Sequence, residues 1–187
     1  MHGGAGGVGH IAIQLARAKG AEVFTTVKPS QHALAEKLGA TPIDYTQFPV
    51  EDYVSACTGG EGFDIVYDTL GGTTLDDSFK AVKVYEGHVV SILGWGTHNL
   101  APLSFRGASY SGVFTLLPLI TGRGRAHHGE ILMAAATLAE AGLLTPLLDP
   151  TEYTMKTIDG AYTAMENRTA KGKLVISVSS PATTPRS

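Results

Sequence analysis

One short stretch limits what this chain can fold into more than any other: Gly4-Ala5-Gly6-Gly7-Val8-Gly9, which spells G-x-G-x-x-G inside the run from His2 to His10. An apolar pattern follows at once, with Val8, Ile11, Ala12 and Leu15 at helical spacing and Gly20 as the stop. Glycines in such a turn accept positive φ, let an anion approach the backbone, and allow the helix to pack close to a strand. The helix N-terminus adds N–H groups and the positive end of its dipole. The expected ligand is a pyrophosphate, held by Gly4, Gly6, Gly7, Val8 and Gly9.

Alone the motif is weak, and a flexible glycine-rich terminus is the competing reading. Context decides. The helix leads into an apolar β-type run at residues 22–27, so the second half of a βαβ unit is present. Only Met1 and His2 precede the glycines, and the first strand of the unit is therefore expected to be missing, leaving two unpaired edges inside the sheet.

The rest of the chain alternates strand and helix. Ser30 is read as the cap of a helix carrying Leu34 and Leu38 and stopped by Gly39. Strands are predicted at 41–45, 63–68, 89–93, 112–117 and 173–178. Helices are predicted at 48–57, around Leu75, Phe79 and Val82, at 127–144 with Ile131, Ala135, Leu138 and Ala139 inward, and around Ile158, Ala161, Tyr162 and Met165. The implied fold is a Rossmann-like α/β architecture, a doubly wound, mostly parallel sheet with helices on both faces. Residues 1–150 form its nucleotide-binding domain, 151–178 a distinct C-terminal segment, and 179–187 a small, polar tail expected to be disordered.

Several function classes are disfavoured. With 14 basic and 17 acidic residues and no charge runs, there is no footprint for nucleic acid or an anionic membrane. The apolar stretch around Val113 to Ile120 is broken by Pro118 and too short to span a bilayer, so a cytoplasmic protein is expected. Cys57 is the only cysteine; at i+7 from Val50 it reads as core, and it cannot form an internal disulfide. No thiolate and imidazole cluster has zinc-ligand spacing, and residues 107–112 lack the G-x-S-x-G of a nucleophile elbow. No metal is expected, and no catalytic group is assigned. A methyltransferase would share the first turn but leaves Gly94 and Gly96 unexplained.

The loop after residue 27 bears on cofactor choice. An NAD-preferring fold ends this strand with Asp or Glu on the ribose hydroxyls. Here Val27 and Lys28 stand there, and Lys28, Ser30 and His32 are donors for a 2′-phosphate. NADP(H) is expected over NAD(H).

The strings H-G-G-A-G-G-V-G-H, K-L-G-A-T-P-I-D-Y, G-G-E-G-F-D-I-V-Y-D-T-L-G-G and G-K-L-V-I-S-V resemble the medium-chain dehydrogenase/reductase superfamily, closest to its zinc-independent quinone oxidoreductase or alcohol dehydrogenase-like branch. The resemblance spans residues 3–178. It implies NADPH as hydride donor and a small-molecule acceptor, a quinone, enone or related carbonyl compound. It further implies that Tyr45 lies near the adenosine phosphate, Thr69 near the adenosine ribose, Gly94 and Trp95 beside the nicotinamide, and Arg168 near the 2′-phosphate. The lysine that some members carry early in the second helix is not matched; Gln31 or His32 stands there. Members carry a GroES-like domain ahead of the cofactor domain, and residues 151–178 resemble the segment that returns to it. A half-molecule is expected, either marginally stable or completed by a partner, with a homodimer through the strand edge between Gly112 and Leu117. The competing reading is a catalytically inert dinucleotide-binding or assembly fragment.

Overall fold

The computed structural model of the chain describes residues 1–178, so the tail at 179–187 lies outside the described residues. Two compact units divide it, Met1–Thr145 and the part from Pro146 onward.

The first unit is built on one parallel sheet. Its elements are α1 (Gly9–Ala18), β1 (Phe24–Val27), α2 (His32–Lys37), β2 (Thr41–Asp44), α3 (Val50–Thr58), β3 (Ile65–Asp68), α4 (Thr73–Ala81), β4 (His88–Ser91), α5 (Ala101–Arg106), β5 (Ser109–Gly112), α6 (Leu116–Thr121) and α7 (Arg125–Glu140). β1 pairs with β2, β3 with β4, and β4 with β5, all parallel. His2 bridges Thr26 on one side and Asp68 on the other, which gives the spatial order β2, β1, His2, β3, β4, β5. Strand order thus reverses at His2, as a doubly wound fold requires.

No strand precedes α1, as expected, but the two strands on either side of the gap are not left open. Two residues fill it. The Met1 amine donates to Phe24 O at 2.7 Å, Thr26 N donates to Met1 O at 3.0 Å, and His2 N donates to Tyr67 O at 2.9 Å. Unpaired ladder groups are costly in a buried sheet, and at normal strand spacing a single residue reaches both neighbours. Behind Met1 a cavity of about 820 Å³ opens between Phe24, Phe63, Ile65 and Tyr67.

Two apolar clusters form the core. The larger joins α3 and α4 to the sheet through Val50, Tyr53, Val54, Leu75, Phe79, Val66 and Val89, with Cys57 packed against it. The smaller gathers Ile13, Val23 and Ala40. Along α1 the buried residues are Gly9, His10 and Ile13, whereas Val8 is exposed, so the inward stripe is rotated from the predicted one. The reason is chemical: His10 Nδ1 pairs with Gly6 O at 2.9 Å, and a satisfied imidazole can be buried.

Other boundaries move as well. The strand predicted at 112–117 lies earlier, as β5, and α6 occupies the run after Thr115. Pro118 explains this, because it has no N–H for a ladder but fits the first turn of a helix. Ser30 caps nothing; Pro29–Gln31 form a 3₁₀ turn in which Gln31 Oε1 accepts from Lys28 N. α7 buries none of its residues, Ile131 and Ala139 included. α5 was not anticipated; Pro102 starts it and Gly107, at φ 59°, ends it.

In the second unit β6 (Tyr153–Thr154) pairs in parallel with β7 (Ile176–Ser177), with α8 (Ile158–Glu166) between them. Lys173 forms only an isolated bridge to Leu148, so the strand predicted from 173 is shorter. Of the predicted α8 face Ala161 is buried, while Tyr162 and Met165 are exposed. Arg168 follows α8 with a positive φ of 54°.

Candidate functional site

Register lines up the C-terminal ends of the strands. Thr26, His2, Asp68, Ser91 and Gly112 form one row across the sheet, and the loops leave just beyond it. Of the residues singled out from sequence, Gly4, Gly6, Gly7, Val8, Gly9, Lys28, Ser30, Tyr45, Thr69, Gly94 and Trp95 all follow strand ends along this edge, or follow Met1–His2. Arg168 belongs to the second unit.

The glycine turn sits at the reversal point. Gly6 N donates to Gly3 O at 3.0 Å, and His10 N to Gly6 O at 3.1 Å. A side chain at Gly9 would run into the Gly3 carbonyl and lie 2.7 Å from Gly4 Cα, so only glycine lets α1 begin this close to the turn. No side chain caps α1, and its first turn carries no acidic residue. No side-chain hydrogen bond therefore covers its positive end, which follows the turn at the reversal of strand order. Such a terminus favours an anion such as a pyrophosphate.

On the β1–β2 side Lys28 and Ser30 are exposed and Tyr45 is half-exposed. His32 Nε2 is buried without a hydrogen-bond partner among the described residues. Asp44, at the end of β2, accepts from Thr46 Oγ1 at 2.6 Å and Thr46 N at 2.9 Å, which holds its carboxyl below the usual range.

On the β3–β4 side the arrangement joins Thr69 and Trp95 with groups that sequence reasoning did not single out as site residues, Asp68, Ser91 and His98 among them. Thr69 Oγ1 donates to His2 O at 2.8 Å. Asp68 is fully buried; it accepts from Leu70 N at 3.1 Å, Gly71 N at 3.0 Å and Ser91 Oγ at 2.8 Å. Trp95 is 62% exposed and meets Phe114 edge-on at 5.6 Å. His98 Nδ1 pairs with Asp76 Oδ1 at 2.9 Å and its Nε2 with Trp95 O at 3.1 Å, and the Asp76 bond raises its pKa. The D-x-x-G-G string from Asp68 to Gly72 was the sequence signal available for Asp68; nothing local marked Ser91 or His98. Burial pushes the Cys57 thiol up, in keeping with a core role.

Residues 7–121 match the zinc-binding dehydrogenase family. The chain belongs to that family. It is also 53% identical to an alcohol dehydrogenase superfamily protein from Novosphingobium aromaticivorans, whose crystal structure superimposes with a TM-score of 0.90 over 95% of this chain and 55% of that one. A highly reducing polyketide synthase of Emericella nidulans is 31% identical over 96% of this chain and 7% of its own length. A mitochondrial NAD(P)H oxidoreductase of Danio rerio is 28% identical over 94% of this chain and 48% of its own. This zinc-binding dehydrogenase family chain thus spans about half of the Danio rerio relative and a small fraction of the synthase.

The fold agrees with this membership in the medium-chain dehydrogenase/reductase superfamily, whose members bind nicotinamide dinucleotides. Zinc is a different matter. Among the described residues no three His, Cys, Asp or Glu side chains converge on a point that could hold a metal ion. Nor is any helix among them long and apolar enough to cross a membrane.

Proposed function

We propose that this chain is the cofactor-binding part of an NADP(H)-dependent oxidoreductase of quinone-reductase or alcohol dehydrogenase-like type. The observation that carries the reading is the uncapped N-terminus of α1, held by glycines at the reversal of strand order. The dinucleotide, when bound, supplies the hydride chemistry. The chain's own residues bind and orient it. Gly6, Gly7 and Val8 hold the pyrophosphate with backbone groups. Lys28 and Ser30 donate to the 2′-phosphate on the β1–β2 side, where no carboxylate ends β1. Gly94 and Trp95 flank the nicotinamide on the β4 side. The acceptor in this reading is a quinone, enone or related carbonyl compound.

Titration of the chain with NADPH and separately with NADH tests this. The expected result is saturable NADPH binding at least tenfold tighter than NADH, about 1.4 kcal/mol. Equal affinities overturn the NADP preference alone, while binding of neither overturns the cofactor site. The assembly reading then stands. It has its own support in the exposed apolar residues Phe114, Leu116, Leu117 and Ile120, which follow the outer strand β5. Pairing of β5 edges, in place of the edge between Gly112 and Leu117, would make a homodimer, and sedimentation at several concentrations reads it directly.

A further inference from the structure

Reversal of strand order at His2 divides a dinucleotide site into two mononucleotide halves. In the β3–β4 half, two loops without regular structure leave neighbouring strands, residues 69–72 and 92–96. Their anchors are in register, since Asp68 and Ser91 are paired last residues of β3 and β4. Both are buried.

A continuous set of hydrogen bonds runs from one loop to the other. Leu70 N and Gly71 N donate to the Asp68 carboxylate; Ser91 Oγ donates to Asp68 Oδ2 at 2.8 Å; Leu93 N donates to Ser91 Oγ at 3.1 Å. Gly71, at φ 70°, lies so close to the Leu93 carbonyl that a Cβ would collide with it. A shift of the first loop would strip donors from the buried carboxylate, and a shift of the second would strip the Leu93 donor from the buried hydroxyl bound to it, both costly, so the loops move together or not at all.

We propose that Asp68 is a positioning residue that acts through Ser91 to lock these loops into one rigid wall for the nicotinamide half of the dinucleotide, which takes Thr69 away from the adenosine-ribose role that the resemblance implies. Asp68 itself touches no ligand. The adenosine half, on the β1–β2 side, forms without this lock. The inference rests on the dinucleotide reading given above, and its test separates the two.

Ser91→Ala removes a single oxygen, and Ser91→Thr keeps the hydroxyl. In the free protein, amide exchange at Leu70 and Gly71, which Ser91 does not touch, rises about tenfold in Ser91→Ala and returns toward wild type in Ser91→Thr. NADPH binding weakens about tenfold in Ser91→Ala, while 2′,5′-ADP, which carries only the adenosine half, stays within about twofold. Faster exchange confined to Leu93 overturns the lock. So does equal weakening of both ligands, which signals general loosening. Wild-type protein that binds neither ligand overturns the cofactor reading and the nicotinamide role with it, and the exchange data still decide whether the two loops are coupled.

Discussion

The two sides of the sheet's C-terminal edge are made differently. Left of His2, beyond β1 and β2, the candidate groups Lys28, Ser30 and Tyr45 are side chains at or near the surface. Right of it, beyond β3 and β4, the loops are backbone held from beneath by Asp68 and Ser91, 0% and 1% exposed. Exposed side chains can change charge at little cost to folding, whereas buried hydrogen-bonded groups cannot. In the proposed reading, discrimination between cofactors would be carried where substitution is tolerated, and geometry where it is not.

The largest effect comes from the apolar layer under the rigid side. Phe79 is 1% exposed and meets Tyr110 at 5.9 Å and His98 at 6.4 Å, both edge-on. Phe79→Ala costs about 3–5 kcal/mol in denaturant unfolding. Tyr45→Ala, on the exposed side, changes stability by less than about 0.5 kcal/mol. Similar losses from both would erase the contrast.

The seam between the halves is sensitive to acid. His2 is buried with its Nδ1 at 3.3 Å from Thr26 Oγ1, and burial pushes its pKa down from 6.5 to about 3. Its imidazole is neutral when folded, so the unfolded chain binds more protons below pH 6.5. The stability it supports is complete above 6.5 and is lost as pH falls toward 3. Between pH 6.5 and 5 the loss is about 2 kcal/mol. The Met1 amine, lowered to about 5 by burial, acts in the same direction from pH 8 downward. Urea unfolding of wild type and His2→Asn at pH 7 and 5 checks this, because the variant should lose roughly half of the acid sensitivity, the Met1 amine keeping the rest; parallel losses would mean that other groups set it.

Much of the fold was legible because local signals agreed with the tertiary outcome. Val50, Tyr53 and Val54 at helical spacing are all buried, as are Leu75 and Phe79, and the glycine turn stands where G-x-G-x-x-G put it. Two of the misreadings share one cause, that polarity and apolarity were counted without their partners. His10 lies outside the apolar stripe read from the sequence, yet its bond to Gly6 O lets it point inward. Ile131 was counted as core, yet α7 has nothing buried beneath it in this unit. The site divides the same way. The exposed residues after each strand could be named from spacing and resemblance, but the Asp68–Ser91 pair joins residues 23 apart in sequence, and only strand register brings them together.

A smaller effect sharpens the comparison from the exposed side. Lys28 follows β1 and is exposed, and no ion pair involving it is found among the described residues. Lys28→Ala should leave the midpoint of unfolding within about 0.5 kcal/mol of wild type. NADPH affinity should fall about three- to tenfold with NADH unchanged, because the lost contact is one solvent-screened charge pair with the 2′-phosphate. Raising salt should shrink the wild-type preference toward that of the variant, since screening acts on exposed pairs and hardly on buried ones. If NADH weakens in step with NADPH, Lys28 supports the loop rather than reading the phosphate, and discrimination must come from groups that are themselves part of the packed structure. The two sides would then differ in exposure but not in role.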